Sequence, residues 1–555
     1  MNASDRTSLV CAKVASTMLL INLSVFAQNT NTFDIFVKVK GDVSPSVAER
    51  LRTKYNATLL QTGSSGRQRW SINSPDPQRV LNQMKDDDSF AYTQLPSDPI
   101  GILVNRPHLG DLYGLPSTYL GAVQSRDYAE KHANIGTIPN TEKLLDALSD
   151  REFSLRMSFA IGDTNYTLAN IQVVTNKDKT ITFSGDIQDG EGKCVFILDN
   201  GTISGLVRLP TRDYSIIPLN GTLHGIVADD PTLYPDHRDH PRTNDGISGG
   251  GTDQNPKNNA DDSSTKNVPD PQSGNSRLTP ANDLDPSKKD AANSSASGTP
   301  MVNTNQLDTA TDQSKTNNFD SVPIPPFEKG EGGTNIVFTI LFAYTQKVAS
   351  VCQNPRSWAR LAVTIMNQAF ADSKVLAVAE IADVIQIGVK ENNDIALDLG
   401  RFARDPDVAV KRKQFGADIC VLLEVNPDEV GYSQVIGAAY SNAFCAVDWQ
   451  LAVDNVSLAH EVGHLFGLRH NLEDDTGNDP FAFGHGFHTL TWRSIMCYPW
   501  PMNKEGYSAV VPRKALWSNP RITLSGIKAG KEGCSDEARA LNRRIDLVSK
   551  FHLGL

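Results

Sequence analysis

His460, Glu461, His464 and His470 all lie within LAHEVGHLFGLRH, residues Leu458–His470. Residues four apart share one face of an α-helix, so His460 and His464 can both reach a single ion at roughly 2.0–2.1 Å. Gly467 is expected to end that helix, because glycine accepts the left-handed backbone a helix stop needs, and the turn lets His470 swing in as the third ligand. Three neutral ligands leave a fourth position for water, which is the pattern of a catalytic zinc site. Glu461 is rotated by about 100° from His460 around the helix and cannot share its ligand geometry, so it reads as the general base facing that water. A solvated polar helix face is the bland alternative. Against it, Leu458, Val462, Leu465, Phe466 and Leu468 make the segment largely apolar, and buried histidines without a ligand are costly. One Zn2+ ion is therefore the expected cofactor.

A second element follows the third histidine. RSIMCYP (Arg493–Pro499) places Met496 where a methionine turn beneath a zinc site is expected. With His460, Glu461, His464, Gly467, His470 and Met496 in this order, the chain resembles the metzincin clan of zinc endopeptidases. AYTQ, FGADICVLLEV, FAFGHGFH, WRSIMCYP and LWSNPRITLSGIKAGKEGCSDEARALNRRIDLV resemble its reprolysin-like branch, and most of all the bacterial peptidyl-Asp metalloendopeptidases, over roughly residues 335 to 552. GTISGLVRLPTRDYSIIPL is similar to reprolysin-type propeptides. The resemblance implies an α/β metzincin catalytic domain, with a twisted mixed sheet, a zinc helix and a methionine turn. It implies His460, His464 and His470 as zinc ligands, Glu461 as the catalytic base and Gly467 and Met496 as structural support. Tyr498, two residues past the methionine, matches the tyrosine that in some members ligates zinc or stabilises the oxyanion. It also implies a preference for cleavage before an acidic residue, with Arg493, Arg513 and Lys514 near the pocket that would receive it. Cys497 departs from the pattern, standing inside the methionine turn where members often carry a small residue.

Other polar clusters receive plainer readings. His485 and His488 in FGHGFH lie outside the three-histidine set and read as loop-ordering residues, and His237 and His240 read as solvated. Glu473, Asp474, Asp475 and Asp479 lack EF-hand spacing, so Ca2+ is not indicated. The cysteines show no CxxC pair, which argues against a cysteine-built metal site. Cys194 is the one thiol of the N-terminal half beyond residue 27. It stands in CVFIL, a buried-strand pattern, so a core or disulfide role is weighed against capping the zinc.

The rest of the chain must position these groups. At 555 residues and 39% hydrophobic, it is too long for one ordinary core and suggests several domains. A net charge of -11 without a basic stripe excludes a nucleic-acid partner. Arg6 and Lys13 precede the apolar run Val14–Ala27, which has signal-peptide length and is too short to span a bilayer, so residues 1–27 read as a signal peptide. No later segment is long and apolar enough to span a membrane, and a secreted protein is expected. The cysteines downstream would then meet an oxidising compartment where disulfides persist.

Residues 28–100 read as a small α+β unit: FDIFVKVK and RQRWSIN alternate like strands, and SPSVAERLRTKY and PQRVLNQMKDDD have helical periodicity. Residues 101–238 read as a mainly-β prodomain-like unit, with FSLRMSFAI, YTLANIQVV, TITFSG, CVFIL and YSIIPL separated by turn signals. Residues 239–326 are rich in Asn, Asp, Ser, Pro, Gly and Lys, almost without core-forming residues, and read as a disordered linker. Residues 327–555 form the metallopeptidase domain. In it NIVFTILFAYT, VAEIADVIQIGV and ADICVLLEV read as strands, PRSWARLAVTIMNQAFADS as a helix, and GYSQVIGAAYSNAFCAV as a candidate edge strand for an extended peptide.

This order suggests a secreted zinc metalloendopeptidase acting on proteins or peptides and made as a latent proenzyme, its N-terminal half serving as intramolecular inhibitor. The alternative from another class is a secreted binding protein with a non-catalytic zinc domain.

Overall fold

Strand alternation and helix caps build the N-terminal half. The computed structural model describes residues 32–41, 44–105, 129–150, 155–188, 192–229, 335–426, 430–433, 443–478, 480–498 and 511–554. The signal-peptide and linker expectations, together with His237, His240 and Asp479, lie outside the described residues.

β1 (Thr32–Val39), α1 (Pro45–Lys54), β2 (Ala57–Thr62), β3 (Gln68–Asn73), α2 (Pro77–Lys85) and β4 (Phe90–Gln94) make a small unit whose antiparallel sheet runs β2-β3-β1-β4. Proline opens both helices, and the Asp76 side chain caps the second by accepting from the Arg79 N–H. Ile35, Val37, Trp70, Leu81 and Met84 form its core.

β5 (Ile100–Asn105), β6 (Ala129–Thr137), α3 (Thr141–Ser149), β7 (Met157–Ile161), β8 (Thr164–Thr175), β9 (Ile181–Ile187), β10 (Lys193–Asp199), β11 (Thr202–Arg208), β12 (Asp213–Asn220) and β13 (Leu223–Asp229) follow. The strands close into a barrel in the order β10-β11-β12-β13-β6-β5-β7-β8-β9. Closure removes the exposed sheet edges that would otherwise template aggregation.

The C-terminal domain is a layered α/β structure. Its elements are β14 (Ile336–Tyr344), α4 (Gln346–Val351), α5 (Pro355–Asp372), β15 (Ala377–Gln386), α6 (Ile395–Ala403), α7 (Pro406–Phe415), β16 (Ile419–Glu424), β17 (Gly431–Ser433), β18 (Phe444–Asp448), α8 (Leu451–Asp454), α9 (Ser457–Leu465), β19 (Asn519–Leu524), β20 (Ile527–Ala529) and α10 (Glu537–Val548). The main sheet runs β15-β14-β16-β18-β17, with β17 alone antiparallel to its neighbour. Its interior strands β14, β16 and β18 are largely apolar on both faces, as helix-covered parallel strands must be. Phe338, Phe342, Val421 and Val447 pack with α5 and α9 on one side. Leu341, Cys420, Leu422 and Ala446 pack with α6 and α7 on the other.

The segment expected to be one edge strand is divided. Gly431–Ser433 is the edge strand β17, whereas Phe444–Asp448 is β18, buried between β16 and β17. The physical reason is that AFCAV is apolar on both faces, which suits an interior strand. The cysteines also depart from the disulfide expectation: Cys194, Cys352, Cys420, Cys445, Cys497 and Cys534 are all free thiols. Cys420 and Cys445 sit on neighbouring strands but face opposite sides of the sheet, so they cannot be bridged. Among the described residues no helix is long and apolar enough to cross a membrane.

Candidate metal and catalytic site

α9 carries His460 and His464 one turn apart and is buried along its whole length. The chain enters it from α8 through Val456, whose φ of 57° is a left-handed conformation that β-branched residues rarely adopt. It leaves through Gly467, φ 95°. The Leu468 N–H donates to the Gly463 carbonyl (3.0 Å) and the Gly467 N–H to the His464 carbonyl (2.9 Å), which is a Schellman closure of the helix. That turn delivers His470.

The three Nε2 atoms then converge: His460 to His464 3.2 Å, His464 to His470 3.1 Å, His460 to His470 3.2 Å. A tetrahedral ion with Zn–N bonds of about 2.0–2.1 Å holds its nitrogens roughly 3.3 Å apart, so the spacing fits a metal. The ring protons fit as well. His460 Nδ1 meets the Ile495 carbonyl at 2.8 Å and His464 Nδ1 meets the Leu468 carbonyl at 3.0 Å. A carbonyl only accepts, so each Nδ1 carries the hydrogen and each Nε2 presents its lone pair to the centre. Among the described residues these histidines are the one group of His, Cys, Asp and Glu side chains close enough to hold an ion together.

Glu461 is 1% exposed and lies against the edge strand. Its carboxylate accepts from the Ser433 hydroxyl at 2.6 Å. A Cβ at Gly431 would stand 2.6 Å from Glu461 Oε1, so only glycine lets β17 approach so closely. Met496 is fully buried beneath α9, where a Cβ at Gly463 would come within 2.6 Å of its Sδ. The Tyr498 ring packs on the His470 imidazole, with centroids 3.9 Å apart.

Several residues outside the motif hold this frame. Glu537, fully buried at the start of α10, accepts from the Ser518 N–H and the Ser494 hydroxyl. Burial pushes its carboxyl up to about 8, opposed by hydrogen bonds from Ser518, Ser494 and the Met496 N–H. Asn471 accepts from the Tyr498 N–H (3.1 Å), tying the third-histidine segment to the methionine turn. Asn471, Ser433, Gly463 and Glu537 were not read from the sequence. Only HEVGH itself signalled Gly463; the others are brought in by tertiary packing.

The remaining candidates separate from the site. His485 Nδ1 donates to the His470 carbonyl at 2.8 Å, so this ring orders the loop behind the centre and is not one of the three converging imidazoles. His488 pairs with Glu473 at 3.9 Å; that contact raises the imidazole and holds the Glu473 carboxyl at about 2. Asp475 pairs with Arg469, and Glu473 and Asp474 accept from Asn471. Arg493 is 3% exposed and donates to the Val511 and Cys497 carbonyls, while Arg513 donates to the Asn455 carbonyl, so both guanidiniums hold backbone. Lys514 is exposed. Burial drives the Cys497 thiol up. Cys194 lies inside the barrel core with Phe183 and Phe196, and burial raises it to about 12, so it is no zinc cap in this arrangement.

Residues 334–508 match the reprolysin-like family described as Metallo-peptidase family M12. The chain is 31% identical over 244 residues to a peptidyl-Asp metalloendopeptidase of Stenotrophomonas maltophilia (strain R551-3), covering 42% of this chain and 56% of that protein. It is 30% identical over 220 residues to a peptidyl-Asp metalloendopeptidase of Xanthomonas campestris pv. campestris, covering 39% and 51%. The chain thus spans about half the length of the curated relatives it matches. Metalloproteinase-II from Bacteroides fragilis aligns in structure with a TM-score of 0.34 at 9% identity, over 70% of this chain and 91% of that one.

Proposed function

We propose, from the premise that residues 334–508 are a reprolysin-like M12 metallopeptidase domain, that this protein is a zinc-dependent endopeptidase. The single observation that carries this reading is the convergence of three Nε2 lone pairs beside Glu461. His460, His464 and His470 would hold the ion, which when bound supplies Lewis-acid polarisation of the scissile carbonyl and acidifies water. Glu461 accepts the proton of the attacking water and returns it to the leaving amine. Ser433 fixes the carboxylate by its 2.6 Å hydrogen bond. An extended substrate adds to β17, the edge strand that lies against Glu461. Tyr498, seated on His470, helps stabilise the oxyanion.

The reading extends to secretion through residues 1–27, to latency imposed by the N-terminal half, and to a preference for an acidic residue beside the cut. The last rests on the peptidyl-Asp name of the relatives. Arg493 and Arg513 donate to backbone carbonyls, and Lys514, exposed on that segment, is the proposed cation for such a residue among the described residues.

Casein zymography with and without a chelator tests the reading. Lysis that disappears with chelator and returns with zinc is expected. Lysis indifferent to chelator contradicts it, and stoichiometric zinc without any lysis favours the binding-protein alternative.

A further inference from the structure

β10–β13 are apolar on both faces, although they belong to a closed barrel. Inward residues Cys194, Phe196, Val207, Ile216 and Ile226 fill the barrel. Successive strand residues point to opposite faces, so Val195, Ile197, Leu206, Ile217 and Val227 point outward. On a free barrel they would meet water; here none is more than 6% exposed. They join one continuous cluster with the metallopeptidase core, including Trp358, Leu361 and Ala362 of α5. Elsewhere the barrel is dressed for solvent: β8 alternates with exposed positions, and Val174 is 54% exposed.

The polar contacts around this face are specific to it. Asp199 accepts from Asn354 Nδ2 (2.8 Å) and the Ser357 hydroxyl (3.0 Å), at the first turn of α5. Gln353 Nε2 donates to the Leu219 carbonyl (3.0 Å). Ser215 donates to Asp454 (2.6 Å) in buried surroundings, on the short helix that runs into the zinc helix. At the rim Lys193 pairs with Asp372 (2.8 Å) and Arg360 with Asp178 (2.5 Å).

We propose that the outward face of β10–β13 is a built docking surface whose partner is the metallopeptidase domain of the same chain. The barrel therefore stays bound after residues 239–326 are cut. Cutting removes only the tether's effective concentration, whereas separation would expose a contiguous apolar face on each half. Rim pairs contribute little, so the association is apolar and insensitive to salt. On the proposed reading of latency, maturation then yields a two-fragment complex, and the barrel acts on the enzyme through α5 and, by the hydrogen bond from Ser215 to Asp454, through α8.

The experiment uses the full chain carrying Glu461→Gln, which prevents self-digestion and keeps the result independent of the catalytic reading. A recognition sequence for a site-specific protease is inserted within 239–326, the chain is cut, and the product is run on size exclusion at about 1 µM, a concentration that separates weak complexes from tight ones. Co-elution of both fragments at the size of the uncut chain is expected, also in about 1 M salt, where the Debye length falls to about 3 Å. Two separate peaks overturn the proposal, and separation only in high salt overturns its apolar basis. Ile197→Glu is expected to release the fragments after cutting, while Val174→Glu is not. Co-elution of a folded Ile197→Glu chain counts against this face, and the unsubstituted chain decides the question by itself if that variant does not fold.

Discussion

The imidazole of His460 is oriented from behind by a carboxylate far away in the sequence. Glu537 accepts from Ser494 and Ser518 and is hydrogen-bonded to the Met496 N–H; between Ser494 and Met496, Ile495 offers its carbonyl to His460 Nδ1. Glutamine has one acceptor oxygen where the ionised carboxylate, the form present above about pH 8, has two, so against that form Glu537→Gln must turn an amide N–H toward a donor. Outer partners of metal ligands commonly change affinity by about 10–100-fold. Glu537→Gln is accordingly expected to weaken zinc retention at least about tenfold against a competing chelator above about pH 8, at an unchanged far-UV spectrum. Unaltered retention would show that the methionine turn does not need this support. The histidines and Glu461 were legible because their geometry is local to one helix and one turn. Glu537 and Ser433 were not, because a buried carboxylate or a serine in a strand has no sequence signature until the fold supplies its partners.

Secondary elements were legible where both faces are covered by helices. NIVFTILFAYT and ADICVLLEV announce β14 and β16 because their apolar runs leave no polar face. β17 and β18 were merged because three residues of edge strand carry no periodicity, and β2 and β4 were missed because their pairing partners, more than their composition, make them strands. The end of β16 also carries a pH dependence. Glu424 is 1% exposed, accepts from Asn426, and burial lifts its carboxyl from 4.5 to about 8, aided by Asp398, Glu391 and Asp448. The folded state therefore keeps a proton that the unfolded chain releases. Its contribution to stability is complete below about 4.5 and is lost as the pH rises toward 8. Glu424→Gln stays neutral throughout, so thermal midpoints of the two proteins are expected to diverge between pH 5 and pH 8, the unsubstituted chain falling relative to the variant. Parallel curves would show that Glu424 is ionised in the folded protein.

Taken as a whole molecule, the barrel and the C-terminal α/β domain share one apolar core, which changes how the proposed latency should be tested. Residues 335–554 expressed alone leave the α5 side of that core uncovered. They are expected to be less soluble and to melt lower than the cut complex, as light scattering and a thermal scan would reveal; equal behaviour would mean the barrel is dispensable. Activation is therefore best followed by cutting within residues 239–326 in the full chain, where a rise in peptidase activity without loss of the barrel is expected and an unchanged rate argues against a propeptide role. On the same cut complex, zinc content and the rate of casein hydrolysis should be measured together for the unsubstituted protein and for Glu461→Gln. One zinc per chain in both, with the rate of the variant lower by at least about a hundredfold, is the expected result, because the ligands remain while the base is gone. Full activity in the zinc-loaded Glu461→Gln protein would contradict it.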